Sequence, residues 1–330
     1  MKRPLIIAIA VGCVGLALLG LRVLSPLPSA PSETLRLAIS PQIMSALVYV
    51  AESKGFFRSE GLEVTLEEHE WGKDALASVI AGKADVATVA EVPVMRAVLN
   101  GSQPTVFSNI QATDHDVTVI ARKASSIQSP ADLVGKRVGL VRGTNHEYFL
   151  NLFLTANGID PTKITVVPIS LKTGADELIA GRIDALASWA GARVAVATAM
   201  PDGIVSFNAD GIYTELWVLA AMPEFLKARS KAVRMLLRAL IQAEQFTREH
   251  RQEAIAIVAR NIKMDDAQVN SIWDQFGFSI NLDQTLLVQL EGEARFVTKE
   301  PGGRLPDFLR HISVDDLRAV APNRVTIIVP

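Results

Sequence analysis

Residues 80–91, IAGKADVATVAE, and residues 179–190, IAGRIDALASWA, are two copies of one pattern set 99 residues apart. Each copy reads as the last turn of a helix, a glycine at its C-terminal end, a basic residue, an aspartate and a short apolar strand. The flanks repeat as well. Ahead of the first copy come a strand at 35–39, a helix, Gly61 and a second strand at 62–66; ahead of the second come 137–141, a helix, Gly158 and 164–167. Two βαβαβ halves in one chain predict two α/β lobes. Sheets of this kind bind ligands outside the carboxyl ends of their strands, so function belongs in the crevice between the lobes.

The chain has 330 residues, enough for two domains, with 49% hydrophobic and 21% charged residues, a globular balance shifted slightly towards the apolar side. Its formal net charge of −2 supplies no basic field of the kind that holds a nucleic-acid backbone, and nucleic acid is not an expected partner. Cys13 is the only cysteine and precedes the predicted fold. The folded part therefore has no internal disulfide, thiolate metal site or cysteine nucleophile.

Residues 5–21 form an uncharged apolar run behind Lys2 and Arg3, the pattern of an export signal, and place the protein in the periplasm. The run lies between a signal core and the roughly 20 residues that span a bilayer, so cleavage and retention as an inner-membrane anchor are both open. Retention is favoured because Pro28 and Pro31 flank the small pair Ser29-Ala30, a poor peptidase site. Cys13 after Gly12 raises lipidation, but Ala10 and the apolar residues after the cysteine argue against it. Residues 25–32, SPLPSAPS, read as a tether.

The expected organisation is signal or anchor plus linker at 1–33, lobe one at 34–120 and 213–330, and lobe two at 121–212. Ser40-Pro41 is placed to cap and open a helix. Strands are expected at 104–110 and 116–121. The segment 213–221, YTELWVLAA, reads as the return crossing, which makes lobe one discontinuous. From Pro223 onward the pattern is helical, with Val233, Leu236, Leu237, Leu240 and Ile241 at core spacing. Residues 325–329 read as a last edge strand or an extended tail.

The ends of the predicted strands supply the candidate ligand-binding residues: Ser40, Trp71, Glu91, Asn109 and Asp116 from lobe one, Thr144, Asn145, His146 and Trp189 from lobe two, and Tyr213 from the return crossing. Thr144-Asn145-His146 opens a helix whose N–H groups suit an anion, although capping by Thr144 or Asn145 explains the same residues. Glu91 suits an ammonium or N–H donor. Trp71 and Trp189 suit cleft walls, with a core position as the plain alternative for Trp189. Asp114-His115-Asp116 does not form a metal site on a strand, where alternation sends His115 to the opposite face. His146-Glu147 lacks the second histidine of a zinc-protease helix, and no phosphate loop is present. No cofactor, metal or catalytic residue is expected.

Residues 51–64, AESKGFFRSEGLEV, 80–85, IAGKAD, 132–139, DLVGKRVG, and 318–327, RAVAPNRVTI, together resemble the nitrate, sulfonate and taurine type of periplasmic solute-binding proteins. The resemblance covers roughly 35–327. It implies a type II periplasmic-binding-protein fold with two crossover strands, closing as a monomer on a small solute and delivering it to the membrane permease of an ABC importer. Proteins of the sulfonate branch often carry a polar or acidic residue where Glu91 precedes Val92-Pro93. Relatives follow the aromatic at Trp189 with an acidic residue and a proline, where this chain has Ala190-Gly191, so one polar contact is missing.

An enzyme on the same architecture, of the thiamine-pyrimidine synthase or porphobilinogen deaminase type, needs cysteines that this fold lacks. A binding protein for the thiamine pyrimidine stays open, with Trp71 or Trp189 stacked on its ring, as does an anchored sensory domain. The favoured ligand is a sulfonate or taurine-like zwitterion, its anionic end at the helix starts and its cationic end near Glu91. Arg142 and Arg193 lie near enough in sequence to admit a simpler anion.

Overall fold

The computed structural model describes residues 33–170, 172–208, 211–298 and 305–329. The candidate signal or anchor and Cys13 lie outside them. The strands are β1 (Glu33–Ile39), β2 (Leu62–Glu68), β3 (Val86–Ala90), β4 (Thr105–Thr113), β5 (Thr118–Arg122), β6 (Arg137–Leu140), β7 (Thr165–Pro168), β8 (Ala185–Ser188), β9 (Ile204–Asn208), β10 (Glu215–Ala221) and β11 (Gly277–Asn281). They make two mixed sheets, ordered β11-β4-β10-β3-β1-β2 and β7-β6-β8-β5-β9. In each, the strand that ends the repeated pattern, β3 or β8, lies parallel to the first strand of its repeat, β1 or β6, and antiparallel to a strand adjoining a crossing.

The aspartates of the repeat do the same job twice. Asp85 accepts hydrogen bonds from the backbone N–H and guanidinium of Arg36, at 2.8 and 2.7 Å, tying β3 to β1. Asp184 accepts the equivalent bonds from Arg137, at 2.9 and 3.0 Å, tying β8 to β6. Gly82 and Gly181, at φ of 69° and 72°, take the left-handed turn that leads into these aspartates. The Arg137 guanidinium holds the Asp184 carboxyl at about 2. Burial opposes the same effect at Asp85, but the bonds from Arg36 prevail and hold it low.

The chain leaves the first sheet after β4 and enters the second at β5; it returns between β9 and β10. The expected lobe boundary at 120/121 falls inside β5, whose partners β8 and β9 are both in the second sheet.

Two local expectations differ from the structure, and between the two readings of residues 325–329 it favours the extended tail. Residues 277–281, inside the segment expected to be helical, form β11 on the free edge of β4, where a Gly277 Cβ would meet the Ala112 carbonyl at 3.2 Å. Residues 325–329 are not a strand; Val325 makes one isolated bridge, to Leu282. Ser40 caps no helix, because a short 3-10 turn, Ile43–Ser45, intervenes and the Ser45 hydroxyl donates to the Ser40 carbonyl at 3.0 Å.

Candidate functional site

A cavity of about 30 Å³, room for roughly one water, lies where the strand ends of the two lobes face each other. Lobe one contributes Trp71, Gly72 and Lys73; lobe two contributes Thr144, Asn145, His146 and Trp189; Asp116, Glu215 and Trp217 stand at the crossings. The lobes are closed on one another. Trp71 meets Trp189 edge-on with ring centres 6.2 Å apart, and Trp189 stacks on His146 at 5.7 Å. Lys172 of lobe two reaches Glu70 of lobe one at 3.2 Å, and Arg96 of lobe one reaches Glu147 of lobe two at 3.3 Å.

Helices Gly72–Ile80, Asn145–Ala156 and Ala190–Ala199 all begin at this cavity, and none receives a side-chain cap from its N-cap residue, Trp71, Thr144 or Trp189. The Thr144 hydroxyl donates to the Val141 carbonyl at 2.7 Å and accepts no first-turn N–H, so the capping alternative does not apply to it. First-turn N–H groups without side-chain partners, joined to the positive ends of three helix dipoles, suit an anionic group. Helix Glu91–Leu99 begins beside them, but the Glu91 carboxylate turns back on its own backbone. Gly72 makes the approach of its helix possible: a Cβ there would stand 3.0 Å from the Trp217 ring and 3.1 Å from the Val89 Cα.

Of the residues expected from the sequence, Trp71, Asp116, Thr144, Asn145, His146 and Trp189 line the cavity, while Ser40, Glu91, Asn109 and Tyr213 do not. Glu91 is fully buried behind the wall, where its carboxylate accepts from the Tyr213 hydroxyl and from Leu216 N–H at 3.0 Å. Asn109 donates to Asn281 at 2.8 Å, inside the first sheet. Ser40 is buried at the turn after β1.

The sequence reading missed Glu215 and Trp217, which line the cavity beside Asp116. Both were reachable, since strand alternation from Tyr213 puts 215 and 217 on the same face. Burial, then the neighbouring Asp116, pushes the Glu215 carboxyl well above the usual range. Burial also pulls His146 down to about 4, so its imidazole is neutral at pH 7. The buried Trp217 indole N–H has no hydrogen-bond partner among the described residues. The cavity thus pairs N–H donors on one side with a carboxyl pair on the other. No group of three or more His, Cys, Asp or Glu able to hold a metal occurs among the described residues.

The departure at Gly191 has a steric reason. A Cβ at Gly191 would stand 2.7 Å from the Trp189 indole nitrogen. The glycine therefore leaves room for the ring that closes the cavity.

A family model described as NMT1/THI5 like matches residues 42–254, well over half of the chain. The chain belongs to the NMT1/THI5-like family. Within reach of this family, a Brucella suis protein provisionally named as a binding protein is 21% identical over 231 residues, 69% of this chain and 70% of that one. The 4-amino-5-hydroxymethyl-2-methylpyrimidine phosphate synthase of Schizosaccharomyces pombe is 26% identical over 137 residues, 42% of this chain and 39% of the enzyme. Among solved structures, the periplasmic aliphatic sulphonate binding protein SsuA of Escherichia coli superposes with a TM-score of 0.74 at 17% identity, covering 84% of this chain and 97% of SsuA. The periplasmic nitrate-binding protein NrtA of Synechocystis superposes at 0.72 and 13% identity, covering 89% and 90%. The fold is that of the periplasmic binding proteins. The likeness to binding proteins spans most of the chain, and that to the synthase less than half.

Proposed function

We propose that this NMT1/THI5-like chain is the extracytoplasmic solute-binding component of an ABC importer, and that its lobes close on a small acidic or zwitterionic solute. The observation that carries this reading is the convergence of three helix starts without side-chain caps on a cavity closed by residues of both lobes. A ligand that touches both lobes binds the closed form better and shifts the open–closed equilibrium by that difference. The anionic group of the solute sits at the helix starts with the Trp217 N–H beside it. The cationic end, if the solute is a taurine-like zwitterion, faces Asp116 and Glu215 instead of Glu91, which lies behind the wall.

A second reading has its own support. Trp71, Trp189 and Trp217 line one cavity, and a relative is named as a pyrimidine phosphate synthase. A pyrimidine ring between indoles, with its amino group on the carboxyl pair, uses the same residues.

Thermal unfolding of the full chain with taurine, isethionate, nitrate and an aminopyrimidine separates these readings. Ligand at one hundred times its Kd adds about 2.7 kcal/mol of stability. Taurine and isethionate share the sulfonate and differ in amine against hydroxyl, so a response to taurine alone supports the zwitterion. A response confined to the pyrimidine supports the second reading. Well-folded protein that no acidic, zwitterionic or pyrimidine solute stabilises would sink both.

A further inference from the structure

The cavity at the helix starts has room for roughly one water, so an organic acid placed there keeps only its acidic group inside. The rest of the molecule needs space of its own, and that space lies next door. Gln42, Met44 and Trp189, which border the cavity, also border a groove of about 460 Å³ between the lobes. That volume falls within the roughly 300–1,000 Å³ of small-molecule sites.

Both lobes build the groove. From lobe one come Ile43 and Met44 in the turn after β1, Ile262 at the end of helix Arg251–Ile262, Met264 and, one helix on, Ile272. From lobe two come Ala175 of helix Gly174–Ile179 and Ala192, Val194 and Ala195 of helix Ala190–Ala199. Ile43, Met44, Ala192 and Ile272 are no more than 6% exposed, so core side chains of both lobes fix the walls. Met44 and Met264 are unbranched and let those walls fit bodies of different shape. The charged residues of the described lining, Lys172 and Asp176, are exposed, and Lys172 is ion-paired with Glu70 at 3.2 Å.

Continuity between the two spaces names the occupant. A body attached to an acid at the helix starts leaves the cavity past Gln42, Met44 and Trp189 and enters the groove, where alkyl or aromatic carbon meets apolar walls. Because the walls belong to both lobes, that burial favours the closed form, in the same direction as the acidic group does. We infer that the solute is an amphipathic organic acid, with its acidic group at the helix starts and an alkyl or aryl body in the groove beyond Trp189. The inference rests on the reading of the protein as a binder that closes on an acidic solute, and names the class of that solute. Nitrate or taurine leaves the groove unfilled.

The test is isothermal titration of the full chain with two series of matched tails: methanesulfonate, butanesulfonate and hexanesulfonate, and acetate, pentanoate and heptanoate. Hexanol supplies the body without the acid. In the series that binds, Kd is expected to fall about fourfold for each added methylene, the worth of burying one. Ala195→Phe, which fills the groove from an exposed position, and Met264→Gln, which makes its other wall polar, are each expected to flatten that slope. A wild-type Kd that does not change with tail length overturns the inference and, while the acids still bind, leaves the binding reading standing. A slope that survives in both variants overturns it too, because the body then lies elsewhere, and so does hexanol binding as tightly as hexanesulfonate. The wild-type slope decides by itself should the variants not fold. If no acid of either series binds, the binding reading falls together with the inference. Sedimentation of the same samples covers the other occupant: dimers that Ala195→Phe dissolves would give the groove to a second copy and overturn the inference.

Discussion

At the scale of single residues, Gly191 and Trp189 act as one device. With Gly191→Ala, the new methyl would occupy space within 2.7 Å of the Trp189 nitrogen, and the ring must leave its place between Trp71 and His146. An aromatic pair of this kind contributes about 0.5–1.5 kcal/mol beyond its buried area. Gly191→Ala is therefore expected to weaken solute binding about as much as Trp189→Ala, and to shift tryptophan emission, which fluorescence titration checks. Equal affinity in Gly191→Ala and wild type would mean that the ring is not a wall of the site. Asp184→Asn tests the repeat instead. With its carboxyl held at about 2 by Arg137, Asp184 is expected to contribute about 2 kcal/mol at pH 7, seen as a fall in the denaturation midpoint. What the sequence made legible at this scale was the lobe-two wall, because Thr144, Asn145 and His146 follow a strand end directly. Glu91 misled because position in the repeat gives the strand end and not the side chain's direction, and its carboxylate folds back towards Tyr213 and Leu216.

At the scale of elements, the site depends on helix starts being brought close to the sheet. Gly72→Val is expected to destabilise the protein by about 1–3 kcal/mol, since the added atoms collide with the Trp217 ring and with β3 itself. Chemical denaturation measures the loss, and a neutral effect would show that helix Gly72–Ile80 has room to retreat. The repeated elements were legible because glycine, basic residue and aspartate mark each helix-to-strand turn with a local signal. β11 was not. Its residues, GFSIN, alternate, but over only five positions set between helical stretches, and what makes them a strand is the free edge of β4, a partner more than 160 residues earlier in the chain. The same limit hid the way β5 belongs to the second sheet, because a crossing strand looks alike from either lobe.

At the scale of the whole molecule, groups with opposed shifts give stability a maximum in pH. Asp85 and Asp184 are held below the ordinary aspartate value, so their contribution is complete above about 3.8 and is lost as pH falls, for Asp184 through about 2. His146 is neutral in the fold down to about 4, so stability is also lost as pH falls from 6.5 towards that value. Glu91, Glu215 and Glu293 act in the other direction. Their protons are bound in the folded state and released on unfolding above about 4.5, so the native protein loses stability as pH rises past that point. Between 4.5 and 6.5 the one proton of His146 opposes those of the buried glutamates. Above 6.5 the carboxyls act alone, and the folding equilibrium constant is expected to fall by about tenfold per pH unit for each proton the fold still holds. Denaturant unfolding from pH 2 to 8 at fixed ionic strength measures the curve. Glu215→Gln with Glu293→Gln is expected to flatten the arm above 6.5 and to leave the acid arm intact, while Asp184→Asn does the reverse. Wild-type stability that rises steadily from pH 6.5 to 8 would show that the buried carboxyls are ionised in the fold, and would remove this maximum.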